Sequence, residues 1–351
     1  MKSVNLMQIV PSLNSGGVEE GTLDLANYLS NNKIKNFIIS NGGRMLPYLN
    51  KHYLEHYKLP VHSKNFLKIP FTAKKINKII KNNKINILHI RSRAPAWLLP
   101  FLDIENLTTV STFHNIYGYQ NIIKKIYNKG LARSEHIVAI SQYVKDEISK
   151  LYKINPDKIT VINRGTDTNF YNFNISDENQ FSKFIKKFNI SDHKKIILYP
   201  GRLTQWKGQI EFLDLVEKFK NRDVVFYFVG DDKNTHYKKK LIYQINKKKL
   251  SEKCVILGHL DKDDLKYMYH CSDVIVSMPL KPEGFGRIIS ESLSMKKIII
   301  TYNFGGAKNQ LQDLSEIYKI NSRNRDELFE KINLIINSSH HSFEKDKEIG
   351  R

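Results

Sequence analysis

Two carboxylates stand eight positions apart in Pro282-Glu283-Gly284-Phe285-Gly286-Arg287-Ile288-Ile289-Ser290-Glu291, where a glycine-flanked turn leads into an amphipathic segment. Gly284 and Gly286 let the backbone approach a ligand closely, and the first turn of a helix offers unpaired N–H groups to an anion. On a regular helix Glu291 lies up to roughly 12 Å beyond Glu283, so the pair could address two parts of one extended ligand. Arg202 and Lys207 follow a short apolar run in Tyr199-Pro200-Gly201-Arg202-Leu203-Thr204-Gln205-Trp206-Lys207-Gly208. A guanidinium fork and an ammonium at such a place can jointly neutralise a diphosphate. Gly16 and Gly17 lie in a comparable position after the first apolar run, ahead of a helix starting near Val18. Their spacing does not match the G-x-G-x-x-G dinucleotide fingerprint, which disfavours NAD.

The elements that must hold these residues read as short β-rich runs alternating with amphipathic segments, the pattern of α/β sheets with crossover helices. Strands are predicted at Val4 to Val10, Asn36 to Ser40, Ile87 to Ile90, Thr108 to Phe113, His136 to Ile140 and Lys158 to Ile162. A second series runs through Lys195 to Tyr199, Val224 to Val229, Cys254 to Leu257, Asp273 to Ser277 and Ile298 to Thr301. The polar, Asn-rich stretch between the series reads as a connection with one short helix. The predicted division is a Rossmann-like domain over 1–168, a connection over 169–193, a second Rossmann-like domain over 194–338 and a polar tail over 339–351. A cleft is expected between the two halves. Ligands of open α/β sheets bind beyond the carboxyl ends of strands, where all the residues above fall.

The 351 residues include 56 Lys and Arg against 35 Asp and Glu, a formal net charge of +21, so an anionic partner is expected. Nucleic acid, an acidic membrane surface and phosphate-bearing substrates all satisfy that charge. No zinc finger, RNA-recognition signature or basic zipper is present to favour specific nucleic-acid binding. Cys254 and Cys271 are the only cysteines, both in apolar contexts, which points to a reducing compartment. No apolar run approaches the length of a membrane span, and the first residues lead directly into a strand, so a cytoplasmic protein, at most peripheral to a membrane, is expected.

Taken together, the Gly16-Gly17 loop, the Arg202 to Gly208 segment, the Glu283 and Glu291 pair and Gly305-Gly306 fall in the order and spacing of retaining nucleotide-sugar glycosyltransferases of the GT-B fold, family four or group 1. Arg91-Ser92-Arg93-Ala94-Pro95-Ala96-Trp97, Thr112-Phe113-His114 and Ile162-Asn163-Arg164-Gly165-Thr166-Asp167 resemble a bacterial subset tied to cell-envelope glycans and the lipopolysaccharide core. The resemblance implies two Rossmann-like domains facing each other across a cleft. It implies that Arg202 and Lys207 hold the donor pyrophosphate and stabilise the departing nucleoside diphosphate, in place of a metal. By the same resemblance Glu291 accepts hydrogen bonds from the ribose hydroxyls. Glu283 contacts the transferred sugar, with Gly284 and the backbone of Phe285 and Gly286 nearby. Gly16 and Gly17 close over the donor phosphate, and His114 faces donor sugar and acceptor. The catalytic set so implied is His114, Arg202, Lys207 and Glu283, with no metal and no cofactor beyond the nucleoside-diphosphate sugar as co-substrate. Two departures stand out: Asn309 occupies the place of a frequent Glu after the second glycine pair, and Met295-Lys296-Lys297 replaces a usual Gly, which should alter only a turn.

The implied reaction moves a sugar from a nucleotide donor to an acceptor hydroxyl with retention of configuration. A double displacement would require a nucleophilic carboxylate beneath the anomeric carbon. No residue of the sequence can be assigned that part, and the family is discussed in terms of a same-face route. An acceptor held on lipid, with a lipopolysaccharide-core precursor leading, would account for the positive charge, with Lys74 to Lys78 and Lys124 to Tyr127 as candidate contacts for anionic headgroups. Two other readings compete. A nucleotide-sugar 2-epimerase of the same fold would release product without an acceptor. A basic binder of RNA or anionic lipid would show salt-sensitive affinity indifferent to Glu291→Ala.

Overall fold

The computed structural model describes residues 4–14, 16–320 and 324–338. The chain divides into two compact units, Met1–Asn163 and Arg164–Arg351. In the first, β1 (Leu6–Ile9), β2 (Asn36–Ser40), β3 (Leu54–Lys58), β4 (Ile87–Ile90), β5 (Thr108–Phe113), β6 (His136–Ala139) and β7 (Ile159–Val161) form one sheet in the order β3-β2-β1-β4-β5-β6-β7. In the second, β8 (Lys195–Pro200), β9 (Val224–Val229), β10 (Cys254–Gly258), β11 (Val274–Ser277), β12 (Ile298–Tyr302) and β13 (Lys319–Ile320) run in the order β10-β9-β8-β11-β12-β13. Every pairing among the described strands is parallel. Both sheets wind outward one way from their first strand and then the other way. This is the doubly wound Rossmann plan, with a topological switch point beside β1 and β4 in one unit and beside β8 and β11 in the other.

In both parallel sheets the inner strands are covered on both faces and are therefore apolar along most of their length. Val224-Val225-Phe226-Tyr227-Phe228-Val229 in β9 and Ile298-Ile299-Ile300 in β12 are buried throughout, as strands covered on both faces must be. The covering helices in the first unit are α1 (Gly17–Asn31), α2 (Ile69–Asn82), α3 (Arg93–Ala96), α4 (Ile122–Lys129) and α5 (Gln142–Tyr152). In the second they are α6 (Glu178–Phe188), α7 (Gln209–Glu217), α8 (Thr235–Lys247), α9 (Lys262–Cys271), α10 (Arg287–Ser294), α11 (Gly306–Leu311) and α12 (Arg325–Asn337). In α2 the buried residues Ile69, Thr72, Ala73, Ile76 and Ile80 recur at the helical period. Tyr199, Phe212, Phe226 and Phe228 make an aromatic cluster in the second core, with the Tyr199 and Phe212 rings 5.0 Å apart.

Strand positions legible from apolar runs coincide with those found, to within about two residues. The two strands that carried no such signal, β3 and β13, lie at sheet edges. There one side is unpaired, so polar residues such as Glu55 and His56 are tolerated. Residues 169–193, read as a connection, belong to the second unit. Their α6 is capped by Asp177, whose Oδ1 accepts from the Gln180 N–H at 2.9 Å, and it buries Phe184 against Tyr267 of α9. The stripe Phe181, Phe184 and Phe188 is spaced for one helical face but was masked by its Asn- and Lys-rich setting. Residues 339–351, read as a tail, lie outside the described residues. Cys254 is buried and Cys271 half-buried, both free, and burial pushes each thiol up to about 12.

Candidate active site

In the second unit the loops after β8 and β11 meet across the switch point. Tyr199, next to the end of β8, is fully buried and joins them: its hydroxyl donates to the Lys207 carbonyl at 2.5 Å and accepts from the Met278 N–H at 3.1 Å. Burial raises the Tyr199 hydroxyl well above its ordinary value, so it stays protonated and remains a donor. The Leu280 N–H donates to the Trp206 carbonyl at 2.7 Å. Gly208 between them sits at φ +81°, and a Cβ there would lie 2.5 Å from the Met278 carbonyl oxygen, so this close approach admits only glycine.

The result of this zipping is that Lys207, in a short 3₁₀ turn of residues 205–207, extends its ammonium to Glu283 on the facing loop. The two side chains are 10% and 14% exposed, so the pair is largely sheltered from water while still open to the loop surface. The same ammonium lies 4.8 Å from the Trp206 ring centroid. An ammonium has three N–H donors, and one contact to Glu283 leaves capacity for an incoming anion. Arg202, in the same loop, is exposed, and its backbone carbonyl accepts from the buried Gln209 side chain at 3.0 Å.

Glu291 is held one helix further on. Gly286 caps α10 in the left-handed region at φ +90°, and Glu291 is buried on the helix's inner face. Its Oε2 accepts from the Tyr269 hydroxyl at 3.0 Å, and its Oε1 lies 3.4 Å from Nε of Arg287. Burial, and then the charge of Glu291, raise the Tyr269 hydroxyl well above its ordinary value, which secures it as the donor. The carboxylate is thus held by its i−4 neighbour Arg287 on the same helix and by Tyr269 from α9, and the second of these no local spacing supplies.

A third loop props the second. Gly305 and Gly306 pack against Glu283 and Gly284: the Gly306 N–H donates to the Glu283 carbonyl at 2.8 Å, and a Cβ on Gly306 would lie 2.2 Å from the Gly284 carbonyl oxygen. Gln310 then reaches back, its Nε2 donating to the Phe285 carbonyl at 2.5 Å while its Oε1 accepts from Ser290 at 2.7 Å. Asn309 is exposed on α11, so the side chain that ties this loop to α10 is its neighbour Gln310. Lys296 takes the left-handed slot at φ +52° that ends α10, so the departure from glycine there changes the cost of a turn and leaves its path intact.

In the first unit, Gly16 stands at φ +128° as the residue before α1, and Gly17 opens that helix. Leu13, just ahead, is clamped by the loop after β2: its N–H donates to the Gly42 carbonyl at 2.9 Å, and the Leu13 carbonyl accepts from the Met45 N–H at 2.8 Å. His114 is half-buried immediately after β5. Arg91, after β4, is buried with Nη1 donating to Gln8 Oε1 at 3.0 Å, and Arg93 stacks 4.1 Å from the Tyr117 ring. So Arg202, Lys207, Glu283, Gly284, Phe285, Gly286 and Glu291 fall on the carboxyl edge of one sheet, and Gly16, Gly17 and His114 on the carboxyl edge of the other. Tyr199, Tyr269 and Gln310 escaped the sequence reading. Each acts through at least one contact 22 to 79 positions away, which no local spacing encodes. Among the described residues no group of three or more His, Cys, Asp or Glu is arranged to hold a metal ion.

The chain is similar to known proteins along both units. The family described as glycosyltransferase family 4 matches residues 15–170, and glycosyl transferases group 1 matches residues 180–351. A crystal structure of a glycosyltransferase from Rickettsia africae ESF-5 is 34% identical with a TM-score of 0.88, covering 100% of this chain and 93% of that one. An uncharacterised glycosyltransferase of Methanocaldococcus jannaschii is 30% identical over 48% of this chain, which spans 43% of that protein's length. The N-acetylgalactosamine-N,N'-diacetylbacillosaminyl-diphospho-undecaprenol 4-alpha-N-acetylgalactosaminyltransferase of Campylobacter jejuni is 25% identical over 86% of this chain and 82% of its own. Anabaena HepE, in complex with UDP-glucose, shares the fold at 18% identity, with a TM-score of 0.79 over 99% of this chain and 92% of that one. Two doubly wound domains with a glycine-bounded Glu283 to Glu291 loop and helix, matched at each half and over the full length, place the chain in the GT-B glycosyl transferases group 1 family.

Proposed function

We propose that the protein transfers a sugar from a nucleoside-diphosphate sugar to an acceptor hydroxyl with retention of configuration. The observation that carries this reading is the sheltered Lys207–Glu283 pair at the switch point, with Glu291 fixed behind it by Tyr269. A diphosphate placed against Lys207 and Arg202 would meet two cations, one of them already desolvated, where charge develops as the nucleoside diphosphate departs. That role for Lys207 and Arg202 needs no metal. Glu283 is then positioned for hydroxyls of the transferred sugar and Glu291 for those of the ribose. In the same reading His114, Gly16 and Gly17 also serve the sugar and phosphate. Retention follows the same-face route, in which the leaving phosphate assists deprotonation of the acceptor. UDP-glucose bound to a protein of this fold supports a nucleotide-sugar donor, and the diphospho-undecaprenol acceptor of the Campylobacter relative supports an acceptor on lipid. The reaction we propose belongs to synthesis of lipopolysaccharide or another cell-envelope glycan, on the inner face of the cytoplasmic membrane.

A thermal-shift panel against UDP, GDP, ADP, NAD and a short RNA tests it. A ligand at a hundredfold excess over its dissociation constant stabilises the native state by about 2.7 kcal/mol, or roughly 5–10 °C for a domain of this size. Stabilisation by one nucleoside diphosphate, abolished in Glu291→Ala, is expected. A response to RNA with none to any diphosphate would overturn the reading.

A further inference from the structure

Helix α4 is inside out. Its sequence, Ile122-Ile123-Lys124-Lys125-Ile126-Tyr127-Asn128-Lys129, carries a clear apolar face, yet the one residue it buries is Asn128. Ile122, Ile123 and Ile126 are 55–72% exposed. Asn128 is buried because it is spoken for: its Oδ1 accepts from Arg93 at 3.0 Å and its Nδ2 donates to the Gly118 carbonyl at 3.0 Å. A second exposed apolar group lies on the turn and first residues of α2, where Phe66, Leu67 and Phe71 are 60–80% exposed. Trp97 joins the two. Its ring packs edge-on to Phe66 at 5.7 Å and stacks on Tyr127 at 6.3 Å, and its Nε1 donates to the Tyr127 carbonyl at 3.1 Å. Two triplets of exposed large apolar side chains, one on each segment, are thus linked through one aromatic seam within one unit.

The charge around this seam has one sign. No Asp or Glu occurs between Glu55 and Asp103 or between Glu105 and Glu135, in a chain with 35 acidic residues. Those acid-free stretches supply exposed Lys64, Lys68, Lys74, Lys124, Lys125 and Lys129 beside the apolar groups. The Lys64 ammonium lies 6.0 Å from the Tyr127 ring, and the Arg133 guanidinium 4.5 Å from the Trp97 ring. Exposed apolar side chains rimmed by cations, without a single intervening acid, match a bilayer interface, where hydrocarbon and anionic headgroups are layered in the same way. RNA would satisfy the lysines and leave Leu67, Phe71 and the isoleucines unexplained. Among the described residues no helix is long and apolar enough to cross a membrane, so the contact would be with the surface alone.

We infer that Phe66, Leu67 and Phe71 with Ile122, Ile123 and Ile126 form a docking surface for an anionic lipid bilayer. The inference deepens the lipid-linked acceptor reading, since a protein docked there would keep its first domain at the membrane where such acceptors reside. The test is flotation of the full chain with vesicles of phosphatidylcholine alone and of phosphatidylcholine mixed with phosphatidylglycerol, without donor or acceptor. Wild type should float with the anionic vesicles, less so at high salt, and not with the neutral ones. Leu67→Ser combined with Ile123→Ser should lower the partition coefficient at least about tenfold. Both positions are exposed, so the variant should melt with the wild type and keep its stabilisation by a nucleoside diphosphate. Equal flotation of variant and wild type, or no flotation of either, would overturn the surface. So would a dimer in solution that the variant dissolves, which would assign the face to a second copy, or RNA binding that competes off the vesicles and is indifferent to the variant. Loss of nucleotide stabilisation with flotation intact would instead sink the transferase reading and leave the surface standing.

Discussion

Replacing Lys207 by Met removes a charge at nearly constant volume and leaves Glu283 facing a loop it was built to neutralise. The pair is 10% and 14% exposed, closer to a buried ion pair than to a surface one. Removing one member of a buried pair costs about 3–5 kcal/mol, since the survivor keeps its desolvation penalty and loses its partner. With residual exposure, about 3 kcal/mol is the reasonable expectation for Lys207→Met, or roughly 6–12 °C in melting temperature for a unit of this size. Glu283→Gln in the same background should recover most of that loss, because a neutral amide facing a methionine strands no charge. Activity should behave differently. Both the single and the double variant should lose about 10²–10³ in kcat, the usual cost of removing one group that meets developing charge. The two readouts are calorimetry of wild type and the two variants and release of nucleoside diphosphate from a sugar nucleotide. A single variant as stable as wild type, or a double variant no more stable than the single, would refute the pairing energetics. Near-wild-type turnover in Lys207→Met would refute the diphosphate assignment.

Lys296→Gly should stabilise the second unit. Lys296 holds φ +52° where α10 ends, with the Lys297 N–H donating to the Ser292 carbonyl and the Lys296 N–H to Leu293 in a Schellman turn. Relieving a left-handed lysine should add up to about 1 kcal/mol, read as a rise of roughly 2–4 °C, and an unchanged or lower melting temperature would contradict the strain. The pH profile of stability should fall on the acid side. Burial, and then Lys51 and Lys58, hold His56 below its usual value of 6.5, while burial, and then Lys297, do the same for His270. The fold favours both neutral imidazoles, so their contribution is complete above pH 6.5 and is lost as pH drops through the lower folded values. A melting temperature that holds or climbs between about pH 7 and pH 5 would contradict this.

The sequence by itself determined the two sheets. Apolar runs such as Ile196 to Tyr199 and Val224 to Val229 can be satisfied only as strands covered on both faces, and that burial is a property of each run alone. It also placed Arg202, Lys207 and Glu283 in loops beyond strand ends and Glu291 on the helix that follows, because the glycines beside them mark where strands stop and helices begin. What it left open lay where burial is shared or charge outvotes pattern: the edge strands β3 and β13, and the packing onto the second core of α6, a helix read only as part of a connection because its phenylalanines sit among lysines and asparagines. Tertiary structure alone decided that Lys207 meets Glu283, that Tyr269 holds Glu291, and that Gln310 rather than Asn309 ties down the glycine loop. It alone decided that α4 turns its isoleucines outward, for an amphipathic repeat fixes which residues share a face and says nothing of whether that face meets the core or the solvent. Those outcomes depend on which loops the sheet order brings together, and strand order is set by packing among elements far apart in the chain.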